Sequence, residues 1–171
     1  IEINKGSKNK YEIDKETGII ALDRVTHTTQ DFPFDYGFIP QTFCGDRVGR
    51  LTTTATKGDQ DPLDICVFSE RAINRPDIII PSRVIGGFRM IDAGEADDKI
   101  IAVMESDTYY SKIQTLKELS PLLRNRLEHY FSTYKLMAGQ QPVVIEKSYE
   151  ADEAEKVVEA AMEDYMDNFG G

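Results

Sequence analysis

The sequence predicts an α+β domain, a small β-barrel or sheet with helices packed on one side. Short apolar-alternating segments fill the chain as far as Met104, whereas helical spacing takes over past Ser106. The 171 residues, 40% hydrophobic and 29% charged, suit one core rather than two, so residues 1–171 are read as a single domain. A chain of this size buries about 70% of the surface its unfolded form exposes, enough for a core without disulfides or metal staples.

The elements follow in order. Lys10 to Ile13 alternates polar and apolar, Asp14 to Gly18 is turn-like, and Ile19 to Val25 alternates again, a hairpin with a five-residue loop. Lys10 and Glu12 then share a face. Pairing about the loop centre sets Lys10 opposite Leu22 and diagonal to Arg24, so that two cations converge there. Phe32 to Phe43 is aromatic and interrupted by Pro33, Gly37 and Pro40, hence strand or loop packed on a core. Residues 44–58, with Gly45, Gly49, Gly58 and a Thr-rich run, read as an exposed loop or short hairpin. Leu63 to Phe68, Ile78 to Ile80, Ser82 to Met90 and Lys99 to Met104 read as further strands.

Ser120 followed by Pro121 is an N-cap and first-turn signal. Leu123, Leu127, Tyr130, Phe131 and Tyr134 continue it as an apolar stripe, with Gly139 as the stop. Val143 to Ile145 adds a short strand. Asp152 caps a last helix in which Ala154, Val157, Val158, Ala161, Tyr165 and Met166 keep helical spacing before Gly170 and Gly171.

Charge narrows the function classes. Thirty acidic against 20 basic residues, a net of −10, oppose a nucleic-acid partner held by its phosphates and an anionic membrane surface. The longest apolar runs are strand-sized, far short of the about 20 residues of a spanning helix, so a soluble protein is expected. Cys44 and Cys66 form no CxxC pair and read as buried thiols of a reducing compartment, the cytoplasm. The chain starts at Ile1 inside an alternating segment, so an upstream piece is expected; if that was a removed targeting peptide, the location is an organelle.

The densest chemical signal is Asp59-Gln60-Asp61-Pro62-Leu63-Asp64, immediately before an apolar strand. Aspartate ordinarily marks a solvated turn, but Asp64 shares a strand face with Cys66 and Phe68, which favour burial. A second cluster, Asp92, Glu95, Asp97 and Asp98, runs into Lys99 and the strand after it. If Asp59, Asp64, Asp92 and Asp97 converge at about 5 Å, their six pairs repel by roughly 20 kcal/mol in all at an effective dielectric of about 20. Such a set requires protons or cations, and hard divalent metals favour carboxylate oxygens.

Competing readings lack their signatures. A calcium loop counted from Asp59 reaches Glu70 at its twelfth position but has Asp64 where glycine is required, and Pro62 intervenes. His27 and His129 are far apart, with no zinc-type spacing; GxSxG, GxxxxGK[ST] and GxGxxG are absent. Lys10, Arg24, Lys99 and the Tyr134-Lys135 pair are candidate anion binders, though each alone is an ordinary surface cation.

Nearly the whole chain resembles the family I soluble inorganic pyrophosphatases. The resemblance is carried by Lys10-Tyr11-Glu12-Ile13-Asp14-Lys15, Leu22-Asp23-Arg24, Asp35-Tyr36-Gly37-Phe38-Ile39-Pro40, the Asp59–Asp64 motif, Met90–Lys99 and Tyr134-Lys135. It implies a closed five-stranded barrel of the oligonucleotide-binding type with two main C-terminal helices outside it, and magnesium-dependent hydrolysis of pyrophosphate to two phosphates by a metal-activated water. Several magnesium ions per site are implied, with manganese as a substitute. By position, Asp59, Asp64, Asp92 and Asp97 are the implied metal ligands, Asp64 bridging two ions, and Asp61 the general base beside the nucleophilic water. Lys10, Arg24, Tyr36, Lys99, Tyr134 and Lys135 are the implied phosphate binders, with Glu2 and Glu12 lining the cavity. Relatives commonly assemble as hexamers and in other branches as dimers, so a homo-oligomer is expected.

Two departures stand out. Residues 44–58 are longer than the usual link, implying an added surface hairpin, and Gln140 and Gln141 lie where relatives often place a lysine. A decayed, non-catalytic barrel should have lost Asp61, Arg24 or Tyr134, and all three are present. A barrel for single-stranded nucleic acid is opposed by the net charge and by the lack of a basic aromatic groove.

Overall fold

The computed structural model describes residues 1–136 and 143–170; the expected stop at Gly139 and the Gln140–Gln141 departure lie outside them. A hairpin of β1 (Asn9–Ile13) and β2 (Ile20–Val25) stands apart from the main sheet. Its loop is tied by Asp14, whose carboxylate accepts from the Glu16 and Thr17 amides at 3.0 and 2.8 Å, and Gly18 takes the left-handed φ of +70° that completes the turn. The register differs from expectation. Tyr11 faces Leu22, and an irregularity between Lys10 and Tyr11 advances the pairing so that Lys10 lies directly opposite Arg24. A bulge of this kind re-aims a side chain, and here it brings the two cations face to face.

The main sheet contains β3 (Asp35–Phe38), β4 (Asp64–Phe68), β5 (Ser82–Asp92), β6 (Glu95–Ala96), β7 (Lys99–Met104) and β8 (Val144–Glu150). Its order is β3-β4-β7-β5-β6, with β8 also paired to β5; β4 and β7 run parallel and the other pairs antiparallel. The α+β class is therefore as expected, but among the described residues these ladders do not close into a ring. Strand β8 is longer than the three residues expected. Ile78 to Ile80 is not a strand: Pro81 follows it, Asp77 before it has a φ of +59°, and Ile79 is 86% exposed.

Helix α2 (Pro121–Thr133) starts where the sequence indicates, with Ser120 Oγ accepting from the Leu123 amide at 3.3 Å. Helix α3 (Ala151–Phe169) begins a residue before the expected cap at Asp152, and Glu150 holds the cap position. The two helices cover opposite faces. On β7, Ile101 and Val103 join Phe34, Phe88, Leu127 and Phe131 in one apolar cluster, whereas Ile100 joins Leu63, Val157 and Ala161 in another. Burial on both sides explains why Lys99 to Met104 reads as a near-continuous apolar run rather than an alternating one.

Residues 44–58 are not a hairpin. They contain α1 (Asp46–Arg50), and Cys44 and Val48 are buried in the α3 cluster. The Thr- and Gly-rich composition conceals this because two apolar side chains suffice when the backbone itself lies close to its neighbours. A Cβ on Gly58 would stand 2.1 Å from the Cys44 carbonyl oxygen, and one on Gly49 2.8 Å from the Gly58 nitrogen.

Candidate active site

The two acidic clusters meet through backbone pairing. Parallel register sets Asp64 on β4 beside Lys99 on β7. The tight turn between β5 and β6, with Ala93 and Gly94 at φ of +50° and +85°, puts Asp92 opposite Glu95. The first cluster is then tied to the second: the Asp59 amide donates to Ala96 O at 3.2 Å, and the Ala96 amide to Lys57 O at 2.8 Å. Within the motif the Asp61 amide donates to Asp59 Oδ1 at 3.0 Å, while Gln60 between them holds a left-handed φ of +67°.

One cleft of about 310 Å³ collects these groups. Asp59, Asp61, Asp64, Asp92 and Asp97 line it together with Lys10, Arg24, Tyr36, Lys99, Tyr134 and Lys135, and Glu2 and Glu12 also face it. Asp98, by contrast, turns away from the cleft: its carboxylate accepts from the Tyr149 hydroxyl at 2.9 Å and lies 3.6 Å from Arg89 Nε. Successive residues of an extended segment point to opposite sides, so Asp97 and Lys99 enter the cleft and Asp98 supports its back.

Each cation in the cleft is matched to acids. Lys99, only 3% exposed, donates to both Asp64 and Asp97. Lys135 donates to Asp92 and Lys15 to Asp61. On the hairpin Lys10 Nζ lies 3.1 Å from Glu12 and 3.2 Å from Asp23. Lys99 Nζ also lies 5.9 Å from the centre of the Tyr36 ring, and Lys135 Nζ 5.3 Å from that of Tyr134. The aromatic wall is packed: Tyr134 stacks on Tyr130 with 5.4 Å between centroids, and Tyr130 packs on Phe32 and Phe34.

The cations do not neutralise the acids completely. Burial, and then the neighbouring charge of Asp97, push Asp59 up to about 8. Burial likewise raises Asp64 against the opposing pull of Lys99. Asp97 goes the other way, because Lys99 and the hydrogen bonds it receives outweigh burial. Burial also pushes Glu2 up to about 7, although its Oε1 accepts from the Ile13 amide at 2.8 Å. A set of carboxylates that must share protons when alone is a set that accepts further positive charge.

The aspartates of the cleft, Asp59, Asp61, Asp64, Asp92 and Asp97, offer the carboxylate oxygens that hard divalent ions favour. Among the described residues no three acidic, histidine or cysteine side chains form a ready-made ion site. Lysine ammoniums stand between the carboxylates.

Lys15 and Glu95 line the same cleft and were not among the expected site residues. Lys15 lies within a motif already noted, but only the fold brings the hairpin loop to Asp61. Glu95 belonged to the second acidic cluster, and its pairing with Lys57 at 2.8 Å is likewise tertiary.

Carboxylates facing lysine, arginine and tyrosine across one cleft make a lining that suits phosphoryl-transfer chemistry. The inorganic pyrophosphatase family model matches residues 1–166. An inorganic pyrophosphatase of Chlamydia trachomatis is 41% identical over 180 residues, covering 99% of this chain and 86% of that protein. The crystal structure of inorganic pyrophosphatase from Thermus thermophilus superposes with a TM-score of 0.83 at 33% identity, covering 96% of this chain and 88% of that one. The inorganic pyrophosphatase of Helicobacter pylori gives 0.84 at 32% identity, covering 97% and 91%. The chain belongs to the inorganic pyrophosphatase family.

Proposed function

We infer that the cleft hydrolyses inorganic pyrophosphate to two orthophosphates, with Asp61 as general base. The observation that carries this reading is the shared lining: Asp61, the four proposed metal ligands and the six proposed phosphate binders all face one cavity. Asp59, Asp64, Asp92 and Asp97 would hold several magnesium ions, with manganese as substitute, and such ions would supply Lewis acidity and lower the pKa of a bound water toward neutrality.

The chain's own groups do the rest. Asp61 is half-exposed at the cleft and partnered by Lys15, so its carboxylate is within reach of solvent and takes the proton from the attacking water. As that water's oxygen bonds to one phosphorus, the bond from that phosphorus to the bridging oxygen breaks. Lys10, Arg24, Lys99 and Lys135 offset the charge that collects on the departing phosphate, and Tyr36 and Tyr134 orient it. Lys99 and Lys135, paired here with Asp64, Asp97 and Asp92, sit where their ammonium groups would also reach phosphate oxygens in the cleft. Glu2 and Glu12 hold the hairpin side of the cavity: Glu2 accepts from the Ile13 amide and Glu12 pairs with Lys10.

Among the described residues no helix is long and apolar enough to cross a membrane. Free, buried Cys44 and Cys66 support a reducing, cytoplasmic setting. Assembly of copies into a homo-oligomer, which the family resemblance implies, is part of this reading.

The test is phosphate release from pyrophosphate, with magnesium and with chelator, for wild type and Asp61→Asn. Magnesium-dependent release should fall by about two orders of magnitude or more in the variant while its circular dichroism stays unchanged. Equal rates in the two proteins would remove Asp61 from this role.

A further inference from the structure

Residues 44–58, which the reaction does not use directly, are wired to the loop that carries Asp61. The peptide of Cys44 grips that loop from both sides: its N–H donates to Asp61 O at 2.8 Å, and its C=O accepts from the Gln60 amide at 3.0 Å. These two bonds bracket the left-handed Gln60, a backbone conformation that a side chain rarely adopts without outside support. Asp59 is held separately, through its amide on Ala96. The close approach that permits the grip is the one that needs glycine at position 58.

Cys44 is in turn fixed by a carboxylate far along the chain. Asp164, on the last helix and only 2% exposed, accepts from the Gly45 amide at 3.0 Å, the Arg47 amide at 3.0 Å and the Val48 amide at 3.2 Å, all at the start of α1. Gly45 offers no side chain for that start, so Asp164 supplies from a distance what a local capping residue ordinarily supplies. Arg47 completes the anchorage with Glu163 and Asp167, and the Phe43 amide donates to Ala161 O at 2.9 Å. The path thus runs from the Asp164 carboxylate to the Gly45 amide, along the chain to Cys44, and across two backbone hydrogen bonds to Gln60 and Asp61.

We propose that Asp164 is a positioning residue for pyrophosphate hydrolysis: by clamping the start of α1 it holds the Cys44 peptide that sets the backbone of Gln60 and Asp61. This rests on the reading of Asp61 as the general base. Because Asp59 and the phosphate-binding cations have their own supports, the clamp should bear on turnover more than on substrate binding. Displacements of about 1 Å at a reacting group cost on the order of 100-fold in rate, which sets the scale.

The experiment compares wild type, Asp164→Ala, Asp164→Asn, Gly45→Ala and Asp61→Asn in steady-state hydrolysis of magnesium pyrophosphate, with amide hydrogen exchange measured at residues 44 and 60. In Asp164→Ala, kcat should fall about 10- to 100-fold while KM stays within about twofold, and exchange at both amides should quicken. Asp164→Asn keeps one acceptor oxygen and should recover most of kcat. Should Asp164→Ala fail to fold, Gly45→Ala carries the test. Its new Cβ would stand 3.0 Å from Asp164 Cγ, crowding the same contact, and kcat should drop severalfold with faster exchange at the two amides.

A folded Asp164→Ala or Gly45→Ala protein with wild-type kcat and unchanged exchange overturns the proposal, as does an equal rise in KM with kcat preserved. If Asp61→Asn alone keeps full activity, the assignment of Asp61 fails and this inference with it. If Asp61→Asn is inactive while Asp164→Ala turns over normally, only the clamp is refuted.

Discussion

Glu2 is held in the folded protein in a form that prefers its proton, and replacing it with glutamine should stabilise the protein above neutral pH. Burial raises its carboxyl from the ordinary 4.5 to about 7, with the charge of Asp64 adding to the effect against the hydrogen bond from Ile13. A raised acid lets the folded state bind more protons than the unfolded one, so its contribution to stability is full below pH 4.5 and is lost as pH rises through about 7. The gap between those values is worth about 3 kcal/mol at about 1.36 kcal/mol per pH unit. Solvent at the cleft screens part of that, leaving about 1–3 kcal/mol.

Glu2→Gln removes the titration and keeps an oxygen to accept from the Ile13 amide, so the comparison isolates the charge. Urea unfolding with chelator present, at pH 5, 6, 7 and 8, should show a stability advantage for the variant that grows from about a quarter of its full size at pH 5 and levels off above about pH 7, reaching about 1–3 kcal/mol. An advantage independent of pH, or a variant less stable at pH 8, would refute the reasoning.

Two other outcomes follow from the same structure. Asp64→Asn should weaken magnesium binding by more than Asp98→Asn, because Asp64 faces the cleft and Asp98 faces Arg89 and Tyr149; calorimetric titration giving the reverse order would show the acidic cluster to be wrongly assigned. Phe34→Ala should cost about 3–5 kcal/mol in denaturant unfolding, since its fully buried ring packs on Phe68, Tyr130 and Phe131. A loss under about 1 kcal/mol would mean that the aromatic wall behind Tyr134 relaxes freely into the cavity.

Much of the site was legible because its signals are local. The spacing of Asp59, Asp61 and Asp64 before an apolar strand, and the acidic turn ahead of Lys99, are patterns within ten residues; Glu2, Glu12 and Tyr36 were expected only from the family resemblance, and all the expected site residues line the cleft. The register of the hairpin was not legible. Alternation alone sets Lys10 opposite Leu22, but the irregularity beside Tyr11 places Arg24 there instead, and a bulge leaves no compositional trace. Ile78 to Ile80 shows the opposite failure: three β-branched residues satisfy strand propensity, yet no neighbouring strand takes them up.

The α1 segment shows the limit most clearly. Its five helical residues have too few apolar positions for periodicity to detect, and its capping group, Asp164, lies well over a hundred residues later. By itself the amino-acid order determined the α+β class, both long helices, the strands carrying the acids and the chemistry those acids suit, because periodicity, capping and charge spacing act between near neighbours. Tertiary structure alone decided which cation meets which acid, that Asp98 faces away from Asp97's cleft, that α2 and α3 take opposite faces, and that α1 reaches the Asp61 loop. Those outcomes depend on contacts between distant segments, whose energies arise only once the sheet has brought the segments together.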